Sequence, residues 1–157
     1  MNQKESGIDS QQQLRQTHVV SCFLVRTDMN QPRLLIVQRS GRVGSYQARW
    51  AAISGFLETG VTADEQAYTE IREETGLQGN QIRMLKRGKV IEYEDASIGR
   101  HWYIHPFLFE VLTPHAISLD WEATEMRWIV PSEILDYETV PRLEEAYRSA
   151  FDGEEVK

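Results

Sequence analysis

Residues Gly55 to Leu77 read GFLETGVTADEQAYTEIREETGL, and the second half of that stretch predicts a helix carrying an uncommon burden of acids. Glu70, Glu73 and Glu74 stand at i, i+3 and i+4, so at about 3.6 residues per turn they share one side of the helix. Thr62 followed three residues later by Glu65 makes a capping box that starts the helix near Ala63, and Gly76 marks its C-terminal end. Acids are unfavourable there on two counts. Like charges at these spacings repel by about 0.2–0.5 kcal/mol per pair, and the negative pole of the helix macrodipole lies at that end. A bound divalent cation removes both penalties. Oxygen ligands with no Cys or His among them suit a hard ion, Mg²⁺ or Mn²⁺, rather than zinc. The competing interpretation is a solvated acidic face, but loop, cap, acids and terminating glycine follow one another in the order a metal-holding loop and helix would need.

Outward from this stretch the pattern alternates between strands and helices. Upstream, His18 to Val25 forms an apolar run expected to be buried on both faces, with Leu34 to Val37 as its hairpin partner across a turn containing Pro32. A loop with Gly41 and Gly44 leads through Trp50 to a short strand, Ala51 to Ile53, which delivers Gly55. Downstream, Gln81 to Tyr93 and Trp102 to Val111 read as paired strands, and Pro106 places the second at an edge or bulge. Met126 to Val130 reads as the last strand and Pro131 to Leu135 as a short helix. A closing helix is expected from about Val140 to Phe151, with Leu143, Tyr147 and Phe151 along one face. Residues 1–16, polar and aperiodic, are expected to be a flexible tail, residues 17–152 one domain, and residues 153–157 a second flexible tail. The fold class is α+β with a mixed sheet.

The central stretch resembles the Nudix box, a phosphate-cleaving signature. Gly55, Glu70, Ile71, Glu73, Glu74, Gly76 and Leu77 match it in register. Val61 stands where the family has its first Glu, and Thr69 where it has an Arg; the joint loss avoids leaving one charge unpaired. The resemblance implies the Nudix (MutT-like) fold, a mixed sheet between helices in an α/β/α sandwich. It also implies a pyrophosphohydrolase that uses Mg²⁺ or Mn²⁺ to cleave a nucleoside diphosphate linked to a group X, or a related organic pyrophosphate. Glu70, Glu73 and Glu74 would be the metal ligands and Glu70 and Glu74 the catalytic acids, with Glu70 the candidate for base duty. Gly55 and the loop arginines Arg39, Arg42 and Arg49 would contact substrate, and a further acid would come from Glu92, Glu94 or Asp95. The two departures point to a second reading, a catalytically weakened Nudix domain that binds a nucleotide-like ligand as a sensor or regulator. Isomerisation of a prenyl diphosphate on the same fold would need an accessible cysteine.

Composition narrows the remaining classes. The 157 residues carry a net charge of −7, which argues against duplex nucleic acid as a partner, because binding to a phosphate backbone needs clustered Lys and Arg. The expected partner is a small-molecule nucleotide or organic diphosphate; a homodimer is left open. The single cysteine, Cys22, lies in an apolar run, and no GxSxG elbow is present, so nucleophilic catalysis has no carrier. His101 and His105 would sit in line on a strand rather than converge as zinc ligands. Trp102, Tyr103, Trp121 and Trp128 could stack on a planar group or fill the core. With no signal peptide and no long apolar run, a cytoplasmic location and no membrane contact are expected.

Overall fold

The computed structural model describes residues 14–157. The expected N-terminal tail lies outside the described residues up to position 13, and its last residues belong to the sheet, since β1 runs Arg15–Arg26. The apolar run of β1 is buried from Val20 to Val25 because both of its faces are covered. Val20, Cys22 and Leu24 pack with Ala67 and Ile71 of helix α1 (Ala63–Thr75), while Phe23 and Val25 pack with Leu143 and Ala146 of helix α2 (Leu143–Phe151). The chain is therefore a mixed sheet between helices, and alternate residues of one strand build its two cores.

β1 runs parallel to β7 (Arg100–Val111), paired from Arg15–Arg100 to Val25–Glu110. The other edge of β7 is shared by β5 (Ile82–Arg87) and β6 (Ile91–Asp95), both antiparallel to it. The single paired strand expected over Gln81 to Tyr93 is thus two, broken at Gly88. Pro106 stands at that break in an interior strand, not at an edge. Its carbonyl accepts from the Gly88 N–H at 2.9 Å, and its missing N–H costs nothing where neither β5 nor β6 is in register.

β2 (Arg33–Arg39) pairs with β1 only at Val25–Leu34 and Arg26–Arg33. Beyond that the two strands splay. β4 (Ile53–Phe56) fills the edge of β1, β3 (Trp50–Ala51) lies on β2, and β8 (Ala123–Ile129) covers β2's far side. The segment Pro131–Asp136 is a 3-10 helix.

Two further expectations are corrected. α2 begins only at Leu143, after Pro141 and a left-handed Arg142 with φ 67°; its inward stripe is Leu143, Ala146 and Ala150, leaving Phe151 exposed with Lys86 over its ring. The expected C-terminal tail is paired. β9 (Glu154–Glu155) lies antiparallel to Lys86 and Arg87, opposing acids to bases, and β8 is not the last strand. Among the described residues no helix is long and apolar enough to cross a membrane.

Candidate active site

α1 is held at both ends by its own sequence. The Thr62 hydroxyl accepts from the Glu65 N–H at 3.1 Å, and Gly76, left-handed at φ 75°, closes the helix by donating to the Arg72 carbonyl. Ala67 and Ile71 point into the core with no exposure. Residues i and i+4 lie about 40° apart around a helix, and i+3 and i+4 about 100°. Glu70 and Glu74 consequently fall together on the buried side, 8% and 6% exposed, while Glu73 is exposed.

The buried pair is poorly satisfied. Glu74 Oε2 is buried without a hydrogen-bond partner. The Glu70 carboxylate lies against the backbone of Gly55, where a side chain of any size would overlap it. Its Oε1 accepts from Gln66 Nε2 at 3.2 Å, and the Gln66 oxygen accepts in turn from the Glu58 N–H, tying the loop before α1 to the acid. Burial, then Glu73 and Glu122, push the Glu70 carboxyl up to about 7. Glu74 is raised well above the carboxylate range by burial first and then by Glu122, Glu70 and Asp120, with Arg39 opposing. Glu122 is itself raised, by burial and by Asp120. A buried, unpaired acid beside other acids is an environment completed by a cation. Among the described residues no three His, Cys, Asp or Glu side chains already form a metal-holding group; the buried acids here are the pair Glu70 and Glu74.

Where β4 replaces β2 beside β1, a cleft of about 390 Å³ is lined by residues of β1, β4 and β7. Glu70, Gly55, Glu122 and Arg39 line one part, and Tyr46, Phe56, Tyr93, Arg100, Trp102 and Arg142 line another. Of the three loop arginines, Arg39 is in the cleft, half-buried, with Nε donating to the Ser45 carbonyl. Arg42 lies over the ring of Trp121, which lines the cleft. Arg49 is exposed, outside the lining, and donates to the Thr139 carbonyl.

Glu92, Glu94 and Asp95 are absent from the lining. Glu92 and Glu94 flank His101, and Asp95 accepts from the Tyr46 hydroxyl at 2.8 Å. Instead, Glu122 brings a further acid, carried by the segment before β8 whose Ser118 and Asp120 N–H groups donate to the Thr75 and Glu74 carbonyls. Gln66, Arg100, Arg142 and Glu122 escaped the sequence reading. None stands at a motif spacing, and all but Gln66 reach the site through long-range pairing. Of the aromatics, Trp102 and Trp121 line the cleft, Tyr103 stacks between His18 and His101 on the outer sheet face, and Trp128 lies under Arg26. Cys22 is buried, its thiol pushed up by burial and by Glu74 and Glu70.

The family model of the NUDIX domain matches residues 15–150. MutT4 of Mycobacterium tuberculosis (strain CDC 1551 / Oshkosh) is 31% identical over 121 residues, 74% of this chain and 46% of that protein. The chain thus spans less than half the length of this relative. Among solved structures, RenU, a Nudix hydrolase from M. smegmatis, superposes with a TM-score of 0.71 at 17% identity, covering 85% of this chain and 84% of that one. A C. elegans Ap4A hydrolase superposes with a TM-score of 0.72 at 16% identity, covering 85% and 93%.

Proposed function

We propose that this chain, which belongs to the Nudix family, is a Mg²⁺- or Mn²⁺-dependent hydrolase that cleaves a phosphoanhydride in a nucleoside diphosphate linked to X, or in a related small organic pyrophosphate. Nudix hydrolases generally cleave such compounds with a divalent metal. The observation that carries the reading is the buried Glu70–Glu74 pair, in which Glu70 lines the cleft and Glu74 Oε2 is unpartnered. Glu70 and Glu74, with Glu73 and Glu122 at the flank, would hold the cation. Bound there, it supplies neutralisation of the diphosphate and a water of lowered pKa. Gly55 keeps the Glu70 carboxylate close to the backbone, and Gln66 orients it. Glu70 would take the proton from the attacking water. Arg39 faces the same acids and offers a fork of donors that matches diphosphate oxygens. A cytoplasmic setting belongs to the same proposal.

Purified protein should hydrolyse at least one member of a panel of nucleotide sugars, dinucleoside polyphosphates, NADH, ADP-ribose and nucleoside triphosphates. The Ap4A hydrolase among the structural neighbours supports including dinucleoside polyphosphates. Turnover should require Mg²⁺ or Mn²⁺ and vanish with chelator. Glu74→Gln should cost more than the roughly 10–100-fold typical of losing an outer-shell partner of a metal. A specific observation favours the second reading, a weakened domain that senses a nucleotide-like ligand: Val61 and Thr69 replace the charged pair of the family motif. Saturable binding that survives Glu74→Gln, without hydrolysis of any panel member, would select it.

A further inference from the structure

An edge strand presents a row of unpaired N–H and C=O groups, which proteins blunt with charges, bulges and proline. β8 is such an edge. β2 pairs with one side of it, and among the described residues no strand lies on the other. Its regular part runs from Glu125 to Ile129, in step with Gln38 to Leu34; the register shifts after Gln38, and Pro131 follows the strand. Successive residues face opposite sides of the sheet. Met126 and Trp128 pack toward the α1-side core and Ile129 lies in the α2-side core, so Glu125 and Arg127 stand on the α2 side, both exposed. Arg127 is held there, its guanidinium 5.0 Å from the Trp50 ring and 5.7 Å from the Tyr137 ring, while Glu125 accepts from its Nε and Nη2. The guard on this edge therefore carries one charge of each sign, two residues apart.

That spacing makes the edge complementary to itself. Two copies of β8 laid antiparallel about a two-fold axis perpendicular to the sheet keep each face on its own side, so directly opposed residues must be both odd-numbered or both even-numbered. Centring the pair on Glu125 sets that acid against its own copy, and centring it on Arg127 does the same with the base. Centring it on Met126 sets Glu125 against the partner's Arg127 twice over. Opposite charges directly across a strand pair stabilise it and like charges destabilise it, so one register is selected over its neighbours. A foreign strand would have to present the reverse charge order at the same spacing; read antiparallel, this chain's own β8 is that strand. A ladder of about five positions buries too little alone, since a stable interface needs roughly 1,000 Å². The same register carries the partner's segment after β8 toward Trp121, which is 53% exposed and lines the cleft. That segment bears Leu135, at 74% the most exposed large apolar side chain among the described residues.

We propose that β8 is a homodimerisation edge, which joins a second copy of this chain antiparallel about Met126 into one continuous sheet, with Glu125 and Arg127 paired to the partner's Arg127 and Glu125. The contact is independent of the hydrolase reading, because neither charged residue lines the cleft.

Sedimentation velocity of the full chain over a range of concentrations reads the association. The parent should form a dimer with a dissociation constant in the micromolar range. Arg127→Glu and Glu125→Arg each set like charges across both symmetric pairs, so each should raise that constant about tenfold or more, with circular dichroism reporting whether the fold is kept. An equimolar mixture of the two variants should recover dimers, because a chain with two acids at these positions answers a chain with two bases. If Arg127→Glu fails to fold once its guanidinium is lost from Trp50, Glu125→Arg, at an exposed position, still decides. A parent that stays monomeric at the highest soluble concentration would overturn the proposal. A dimer unmoved by Glu125→Arg would overturn it too, by placing the interface on another surface, and so would two dissociated variants that fail to recover dimers when mixed.

Discussion

At the scale of single residues, Glu70 and Glu74 are placed against the interest of the fold. The Glu70 carboxyl is pushed up to about 7 from an ordinary 4.5, and Glu74 is raised in the same direction. A carboxyl whose folded pKa exceeds its unfolded one binds protons more tightly in the fold. Its contribution to stability is complete below the unfolded value and is lost as pH rises through the folded one. In chelator, the Tm should therefore fall between about pH 5 and about pH 8, and part of the fall should vanish in Glu74→Gln. Mg²⁺ added at the higher pH should restore the Tm of the parent and do less for the variant, because a ligand bound only to the native state stabilises it by mass action. Calorimetric scans check this. A chelated protein whose Tm is flat across that range would mean that the pair is neither strained nor waiting for a cation.

At the scale of elements, the loop and helix from Gly55 to Gly76 were legible because everything that makes them is local. Thr62 caps where the capping pattern places the cap, Gly76 turns left-handed where the helix must stop, and the i, i+4 geometry buries Glu70 with Glu74. The i, i+3 relation did not bring Glu73 inside, since the burying surface is narrower than the arc the three acids span. Glu122, Arg100 and Arg142 were illegible, because they come from the segment before β8, from β7 and from the turn before α2, which meet only after long-range pairing. The same limit hid the end of the chain: a two-residue strand has too few positions to show a period. The departures at Val61 and Thr69 are local and carry a prediction about this element. Restoring Val61→Glu together with Thr69→Arg should raise kcat/KM or leave it unharmed, while either single change does worse, having introduced a charge without its partner. A double-mutant cycle on kcat/KM measures the coupling, and strictly additive effects would mean that the two positions drifted independently.

At the scale of the whole molecule, the cleft lies where β1 exchanges β2 for β4 as its partner while keeping β7 along its other edge. The long parallel pairing is buried on both faces from Val20 to Val25, while β2 leaves β1 after two residue pairs and β4 takes its place along Val19 to Cys22. The opposite edge of the sheet carries structure without chemistry. There β9 sets Glu154 and Glu155 against Arg87 and Lys86, Val156 donates to the Leu85 carbonyl at 2.9 Å and packs on the α1-side core, and Gly153 passes so close to the Arg87 carbonyl that no side chain would fit. None of these residues lines the cleft. Deleting residues 153–157 removes a few backbone hydrogen bonds at about 0.5–1.5 kcal/mol each and part of one buried valine, a loss of about 1–3 kcal/mol. For a chain of this length that lowers the Tm by several degrees, about 2–4 °C per kcal/mol. Turnover at a temperature well below the transition should stay within about twofold of the parent, since a difference of that size is under 0.5 kcal/mol in the barrier. If the truncated protein keeps its Tm but loses activity, the C-terminal strand communicates with the cleft, and the division of the sheet into a chemical edge and a structural edge is wrong.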